Sequence, residues 1–245
     1  MGQIRGENMA QYIYGKNVVT QRIKNNDNVE VVFIENNKHR DLIDLCKQNQ
    51  IKVEIKAKSK LDQLTNKASH QGVVAKVMEY QYYQINDIIK ESEYPLIVLL
   101  DGVEDPHNFG AIIRTCEAVG VDGIIILERR SVSVTGTVVK TSAGAIDNVK
   151  IVKVANLVRT IQELKDLGYW IVGTDLKNSV DYRSIDYKMK TVLVVGSEGK
   201  GMSRLVREAC DFIAQIPMKG KVNSLNVSVA TAIMLYEIYN QQNVV

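Results

Sequence analysis

From Pro95 onward the chain alternates short unbroken apolar runs with helix-like stretches, and this pattern constrains its fold more than any other feature. Residues 96–100 (LIVLL) are continuously apolar, which suits a strand buried on both faces of a sheet. Residues 111–119 read as a helix and 123–127 (GIIIL) as the next strand. Residues 149–154, 169–174 and 191–195 continue the strands, with a helix over 157–167 among them. The last element, 226–241, has the pattern of an amphipathic helix with Val229, Ala230, Ile233, Met234 and Ile238 on its buried side. Strands alternating with helices imply an α/β fold with a mainly parallel sheet, whose ligands bind beyond the carboxyl ends of the strands. That rule singles out the loops after Leu100, Val195 and Gln215.

A smaller α/β unit precedes this one. Residues 29–35 (VEVVFIE) are β-branched and apolar and predict a strand. A helix over 41–48 places Leu42, Leu45 and Cys46 on one side, and 51–55 and 72–77 read as further short strands. The expected organisation is a small domain over 11–78, a linker over 79–94 and a large domain over 95–245. The linker carries Tyr80, Tyr82 and Tyr83, then a short helix over 85–90. Its tyrosines can stack on bases or pack the linker against a domain, and packing is the commoner use.

Composition narrows the function classes. A chain of 245 residues, 45% hydrophobic, can build one large core or two modest ones. No apolar run approaches the roughly 20 residues of a membrane-spanning helix. The N-terminus does not combine basic, apolar and small-residue segments, so a cytoplasmic protein without membrane contact is expected. Cys46, Cys116 and Cys210 are far apart, as are His39, His70 and His107, and neither C-x-x-C nor H-E-x-x-H occurs. No metal and no disulfide framework are therefore expected. Before Pro95 there are 14 basic and 12 acidic residues, and after it 17 and 16. Neither half attracts nucleic acid by bulk charge, so an RNA-binding protein of this composition needs local patches. Lys52, Lys56, Lys58 and Lys60 form one candidate and Arg129–Arg130 another, with a solvated face as the simpler reading of each.

The loops at the strand ends carry the chemistry. After Leu100 the chain reads DGVEDPHNFG, in which Asn108 is a natural helix N-cap and Gly110 permits a close approach to the backbone. Arg114 follows six residues after Asn108; the pair forms either a phosphate site at a helix end or merely a capped helix with a surface arginine. Residues 196–201 (GSEGKG) follow the strand TVLVV and put three glycines in six positions. Their spacing fits neither the Walker A loop nor G-x-G-x-x-G, yet it specifies a tight loop able to wrap a ligand with backbone groups. Glu198 within it suits a cation, such as a sulfonium or an amine, better than a phosphate. Residues 216–230 carry IPM, a Lys- and Gly-containing turn and SLNVSVA, where Ser224 or Asn226 can cap the final helix.

Taken together, N-x-G-x-x-x-R at residues 108–114, GSEGKGM at 196–202, and IPM followed by SLNVSVA resemble the SpoU (TrmH-like) class of the SPOUT methyltransferases, in the family's order and on matching elements. Tyr14-Gly15 with Val18, and His70-Gln71-Gly72-Val73, look like the N-terminal substrate-binding domain of the bacterial 23S ribosomal RNA guanosine 2′-O-methyltransferases. The resemblance thus covers nearly the whole chain beyond about residue 11. It implies that S-adenosyl-L-methionine (S-adenosylmethionine) binds in a deep trefoil knot, which no periodicity argument reveals and which general topology rules disfavour. It assigns the cofactor to Thr174, Gly196, Gly199, Ile216, Met218, Ser224 and Leu225, with Ile216 and Leu225 covering the adenine. It implies a homodimer in which Arg114 can act in a site completed by the partner subunit.

The implied reaction moves a methyl group from a sulfonium to a ribose 2′-hydroxyl, so the protein supplies orientation and proton removal. The family gives proton removal to the arginine matching Arg114, aided by the RNA phosphate. A guanidinium that clamps the phosphate and stabilises alkoxide charge is an equally physical role. Asn108, Glu198 and Asn226 would orient the ribose and the arginine, whereas His107 has a suitable titration range but lies outside the matched positions. The expected substrate is ribosomal RNA, at a guanosine of 23S ribosomal RNA, with the Lys52 to Lys60 cluster of the small domain reading RNA shape and backbone. The alternatives are 2′-O-methylation of transfer RNA and a non-catalytic ribosome-assembly factor that binds RNA.

Overall fold

The computed structural model describes residues 10–24, 29–36, 39–78, 80–129, 131–220 and 224–243. Glu79 of the expected linker, Arg130 of the Arg129–Arg130 patch and residues 221–223 of the third segment lie outside the described residues. The chain forms two compact units, the first comprising residues up to Gln81 together with Val134–Thr137.

In the first unit the order is β1 (Ala10–Tyr14), α1 (Lys16–Lys24), β2 (Val29–Ile34), α2 (Arg40–Gln48), β3 (Lys52–Ile55), α3 (Lys58–Leu64) and β4 (Val73–Met78). The sheet order is β1-β4-β2-β3; β4 runs antiparallel to both neighbours, while β2 and β3 are parallel. Alternation along β2 explains its apolar sequence: Val32 and Ile34 join Val19, Ile23, Leu42 and Cys46 on one face, and Val31 and Phe33 join Leu61 on the other. β1, α1 and α3 escape the sequence pattern because the two helices are short and bury little, Val19 and Ile23 in α1 and Leu61 alone in α3. The Lys52 to Lys60 cluster is partly neutralised, since Lys52 and Lys56 both pair with Glu54, at 2.6 and 2.9 Å. These two ammonium groups hold the Glu54 carboxyl down at about 2.

The two N-terminal motifs meet across the β1–β4 pair, where the Gly15 amide donates to the Val73 carbonyl at 3.0 Å. His70 is buried and accepts from the Gly72 amide at Nδ1 (3.0 Å), which leaves Nε2 to donate to Asp62 of α3 at 3.0 Å.

The second unit carries β5 (Leu96–Asp101), α4 (Pro106–Val119), β6 (Gly123–Leu127), α5 (Gly136–Thr141, whose first two residues group with the first unit), β7 (Ile151–Val154), α6 (Leu157–Asp166), β8 (Trp170–Thr174), β9 (Val180–Asp181), β10 (Thr191–Gly196), α7 (Arg204–Glu208), β11 (Phe212–Gln215) and α8 (Val227–Asn243). Its seven strands are all parallel, in the order β7-β6-β5-β10-β8-β11-β9. Every residue of β5 and of β10 is buried, as their unbroken apolar runs require. The order turns back between β5 and β10, so the carboxyl ends of these strands border a crevice suited to a ligand.

Two local readings change, and the linker tyrosines take up contacts of their own. The expected linker helix over 85–90 is a single 3-10 turn, Ile85–Asp87, because Asp87 folds back to accept from the Gln84 amide at 2.8 Å. The Tyr83 backbone bridges to Val152 at the β7 edge while its side chain stays 41% exposed, whereas the Lys153 ammonium lies 4.1 Å from the Tyr82 ring centre and covers one face of it. Finally, α8 is not simply amphipathic. It buries Val227, Thr231, Met234, Leu235 and Ile238, whereas Val229, expected to be buried, is 48% exposed, and Ala230 and Ile233 are only partly covered. Packing against α4 and the sheet selects a different stripe, leaving Val229, Tyr236 and Tyr239 as uncovered apolar surface.

Candidate active site

Four parallel strands, β5, β10, β8 and β11, end at Asp101, Gly196, Thr174 and Gln215. Beyond β8, β10 and β11 lies a cavity of about 390 Å³, within the range that encloses a small-molecule ligand. Its lining includes Thr174, Gly196, Gly199, Ile216, Met218, Ser224 and Leu225, all seven positions expected to face a cofactor. The mixture is apolar side chains and loop backbone, with Glu198 and Lys200 as charged groups in the glycine loop. A second, smaller cavity of about 200 Å³ shares Ser197, Glu198, Lys200 and Val227 with the first and adds Gly102, Glu104, Asp105 and Asn108.

The glycine loop is a miniature hairpin: Ser197 and Gly201 exchange backbone hydrogen bonds of 3.0 and 2.9 Å. Gly199 (φ +85°) forms part of its tip, and Gly201 (φ +66°) closes it. A side chain at Gly196 would strike the backbone of Gly201 and Met202, so the strand must end in glycine for the chain to double back. Asp101 anchors the far side of this loop, its carboxylate accepting from the Ser203 amide at 2.6 Å.

One capping expectation changes and one that stood open between two residues narrows to Asn226, and together they build the polar part of the site. Asp105, not Asn108, caps α4; its carboxylate accepts from the amides of His107 and Asn108, with Pro106 in the first turn. Asn226, not Ser224, caps α8, since its Oδ1 accepts from the amides of Ser228 (3.0 Å) and Val229 (3.4 Å) and from the Ser228 hydroxyl (2.6 Å). With Oδ1 committed, Asn226 turns Nδ2 outward and donates to Asn108 Oδ1 at 2.9 Å. Asn108 in turn presents Nδ2 to Glu198 Oε2 at 3.4 Å. A helix terminus thus sets the direction of a relay that ends on a carboxylate shared by both cavities.

Arg114 stands apart from this group. It is exposed on α4, six residues beyond Asn108 or roughly 9 Å along the axis, and lines neither cavity. Among the described residues its side chain makes no hydrogen bond or ion pair. His107 is exposed as well and lines neither cavity, so nothing in the geometry recruits it as a base. Gly110 admits a neighbour rather than a ligand: a side chain there would collide with Thr141 of α5.

Sequence reasoning missed the loop after β8, from which Asp175 and Leu176 line the large cavity. Asp175 Oδ2 accepts from Arg207 Nε at 3.0 Å, and a second Arg207 nitrogen donates to the Lys177 carbonyl. The strand-end rule that singled out the other loops applies equally to this one and would have found it.

The model of the SpoU rRNA methylase family matches residues 95–236, and one described as RNA 2′-O ribose methyltransferase substrate binding matches residues 12–83. A Bacillus subtilis protein provisionally named a TrmH family tRNA/rRNA methyltransferase, YacO, is 43% identical over 240 residues, covering 95% of this chain and 96% of its own. An rRNA methyltransferase from Sinorhizobium meliloti, solved with AdoMet bound, superposes with a TM-score of 0.64 at 27% identity, covering 96% of this chain and 88% of the other. A TrmH/SpoU tRNA modifying enzyme from A. aeolicus is 41% identical, with a TM-score of 0.57 over 64% of this chain and 79% of its own. The chain belongs to the SpoU rRNA methylase family and is an RNA methyltransferase of the TrmH/SpoU type.

Proposed function

We propose that this protein methylates the 2′-hydroxyl of a ribose in ribosomal RNA, at a guanosine of 23S ribosomal RNA, with S-adenosylmethionine as donor. The observation that carries the proposal is the large cavity at the strand ends, with the Asn226–Asn108–Glu198 relay on its rim. The cavity fits the donor chemically: Ile216, Leu225 and Met218 offer apolar cover for a purine, and the hairpin without side chains at Gly196 and Gly199 offers backbone groups to its polar edge. Thr174 already donates its hydroxyl to the Val194 carbonyl at 3.3 Å, so it contributes shape and an acceptor rather than a donor. Ser224 lines the same wall.

Bound S-adenosylmethionine supplies an activated methyl group on a sulfonium. Glu198, which lines both cavities and accepts from Asn108, would face that positive charge and orient the ribose beside it. Arg114 would clamp the neighbouring RNA phosphate and stabilise charge developing on the 2′-oxygen as the hydroxyl proton leaves to water, a role in which the guanidinium keeps its own protons. Its distance from the relay within one chain favours a site completed by a second copy. The uncovered stripe of α8, with Val229, Tyr236 and Tyr239, supports such a homodimer. Insertion of β10 between β5 and β8, both earlier in the chain, supports a trefoil knot around the cavity. The substrate-binding match over residues 12–83 supports RNA recognition by the first unit.

Transfer RNA is the second reading, favoured by the 41% identity to the A. aeolicus enzyme. Incubation with labelled S-adenosylmethionine and unmodified total RNA, followed by mapping of the 2′-O-methyl position, decides between them. Label on a base, or in no RNA at all, defeats the proposal. Calorimetry separates catalysis from a bare assembly role, because no donor binding at millimolar concentration is the outcome for a non-catalytic RNA-binding factor. Arg114→Ala is expected to bind donor normally and to lose transfer; full activity removes Arg114 from the mechanism.

A further inference from the structure

We propose that Arg207, which none of the matched motifs contains, is a positioning residue that sets donor affinity by holding the loop after β8 against the large cavity. The inference rests on the reading of that cavity as the S-adenosylmethionine site. Residues 175–179 connect β8 to β9, and Asp175 and Leu176 form part of the cavity wall. Leu176 is 53% exposed, so its own burial does not hold it in place. On its sheet side the loop has one backbone bond, Asp175 to the Ala214 carbonyl at 3.1 Å, and it leads to β9, a strand of only two residues. Its internal bonds, Lys177 amide to Asp175 (3.1 Å) and Ser179 hydroxyl to the Leu176 carbonyl (2.9 Å), shape it without fixing its place.

Arg207 supplies the missing anchor. Nε donates to the Asp175 carboxylate at 3.0 Å and Nη2 to the Lys177 carbonyl, so the two bonds straddle Leu176. Both charged side chains are only 26% exposed, which shields the pair from the screening that weakens surface ion pairs. The short helix bearing Arg207 is itself tied to the end of β5: Asp101 accepts from the Ser203 amide, and the Ser203 carbonyl accepts from the Arg207 amide at 2.9 Å. A rigid path therefore runs from a central strand through α7 to the cavity wall. The guanidinium makes the two bonds from two nitrogens of one rigid fork, whereas an ammonium must make both from a single atom, so lysine is an incomplete substitute.

The test uses the full chain with Arg207→Met, Arg207→Lys and Asp175→Asn, titrated with S-adenosylmethionine and with its product S-adenosylhomocysteine in a calorimeter. Arg207→Met and Asp175→Asn are each expected to weaken binding by roughly 10- to 100-fold, about 1.4 to 2.8 kcal/mol. Arg207→Lys should fall between, and combining Met with Asn should add little. At saturating donor the kcat of the Arg207 variants should stay within about twofold and their KM for RNA should not change, while amide exchange across residues 175–179 should quicken. Wild-type affinity in a folded Arg207→Met variant overturns the proposal, as does a loss of kcat with affinity intact. Should Arg207→Met not fold, Asp175→Asn decides alone, and wild-type affinity there has the same force. Failure of the unaltered protein to bind donor overturns the reading of the cavity instead, and this proposal with it.

Discussion

Asn226 performs two tasks with the two ends of one side chain, and a substitution that separates them tests the relay. Its oxygen caps α8, and its nitrogen donates to Asn108, which donates to Glu198. Asn226→Ala removes both, and loss of the cap alone should cost about 1 kcal/mol. For a unit of this size that lowers Tm by roughly 2–4 °C. Asn226→Asp keeps an excellent cap, so stability should stay within about 0.5 kcal/mol of the original. The new carboxylate, however, can only accept from Asn108. Asn108 must then rotate its amide, turning its oxygen rather than its nitrogen toward Glu198. A hydrogen bond to a charged group contributes about 1.5–3 kcal/mol, and the Asn108–Glu198 bond is long at 3.4 Å, which places it at the low end. The expected loss in kcat/KM is therefore about tenfold. Thermal melts and methyl transfer to RNA are measured side by side on both variants. An Asn226→Asp protein with unaltered transfer, or one that loses as much Tm as the alanine variant, refutes the reasoning.

Gly196→Ala sets a methyl group against the backbone of Gly201 and Met202, where no flexible side chain can yield. It should cost about 1–3 kcal/mol and abolish donor binding, and a variant with normal calorimetric affinity would refute this. The thiols give a pH prediction: burial pushes Cys46 up to about 11 and Cys210 up to about 12, from an ordinary value of 9.0. Because the folded values are raised, the unfolded chain ionises first. Stability should be full below about pH 9 and decline as pH rises from there through the folded values, by a smaller amount in Cys46→Ala. Denaturant midpoints between pH 8 and 11 check the sign, and a Cys46→Ala decline equal to that of the unaltered chain would contradict it.

Much of the fold was legible in the sequence because burial on both faces leaves a direct mark. Residues 96–100 and 123–127 are apolar throughout, and they are β5 and β6; the fully buried β10 was equally plain. Elements that bury two side chains or fewer leave no such mark, as with α1, α3, α7 and the two-residue β9. In α8 the pattern misled. Its apolar residues lie on more than one side, and periodicity cannot say which stripe α4 and the sheet will cover.

For the site, the sequence by itself determined which loops matter and which residue types they carry, because tight turns need glycine and helix starts need short polar side chains. Only the tertiary structure decided that Asp105 and Asn226 do the capping, which releases Asn108 to join them to Glu198. Only the fold, likewise, brought Arg207 to Asp175 across 32 positions of sequence and left Arg114 outside both cavities of its own chain. The physical reason is the same in each case. Local sequence fixes what a backbone segment can do alone, whereas a side chain's partner is chosen by strands and helices that meet only after the sheet has assembled.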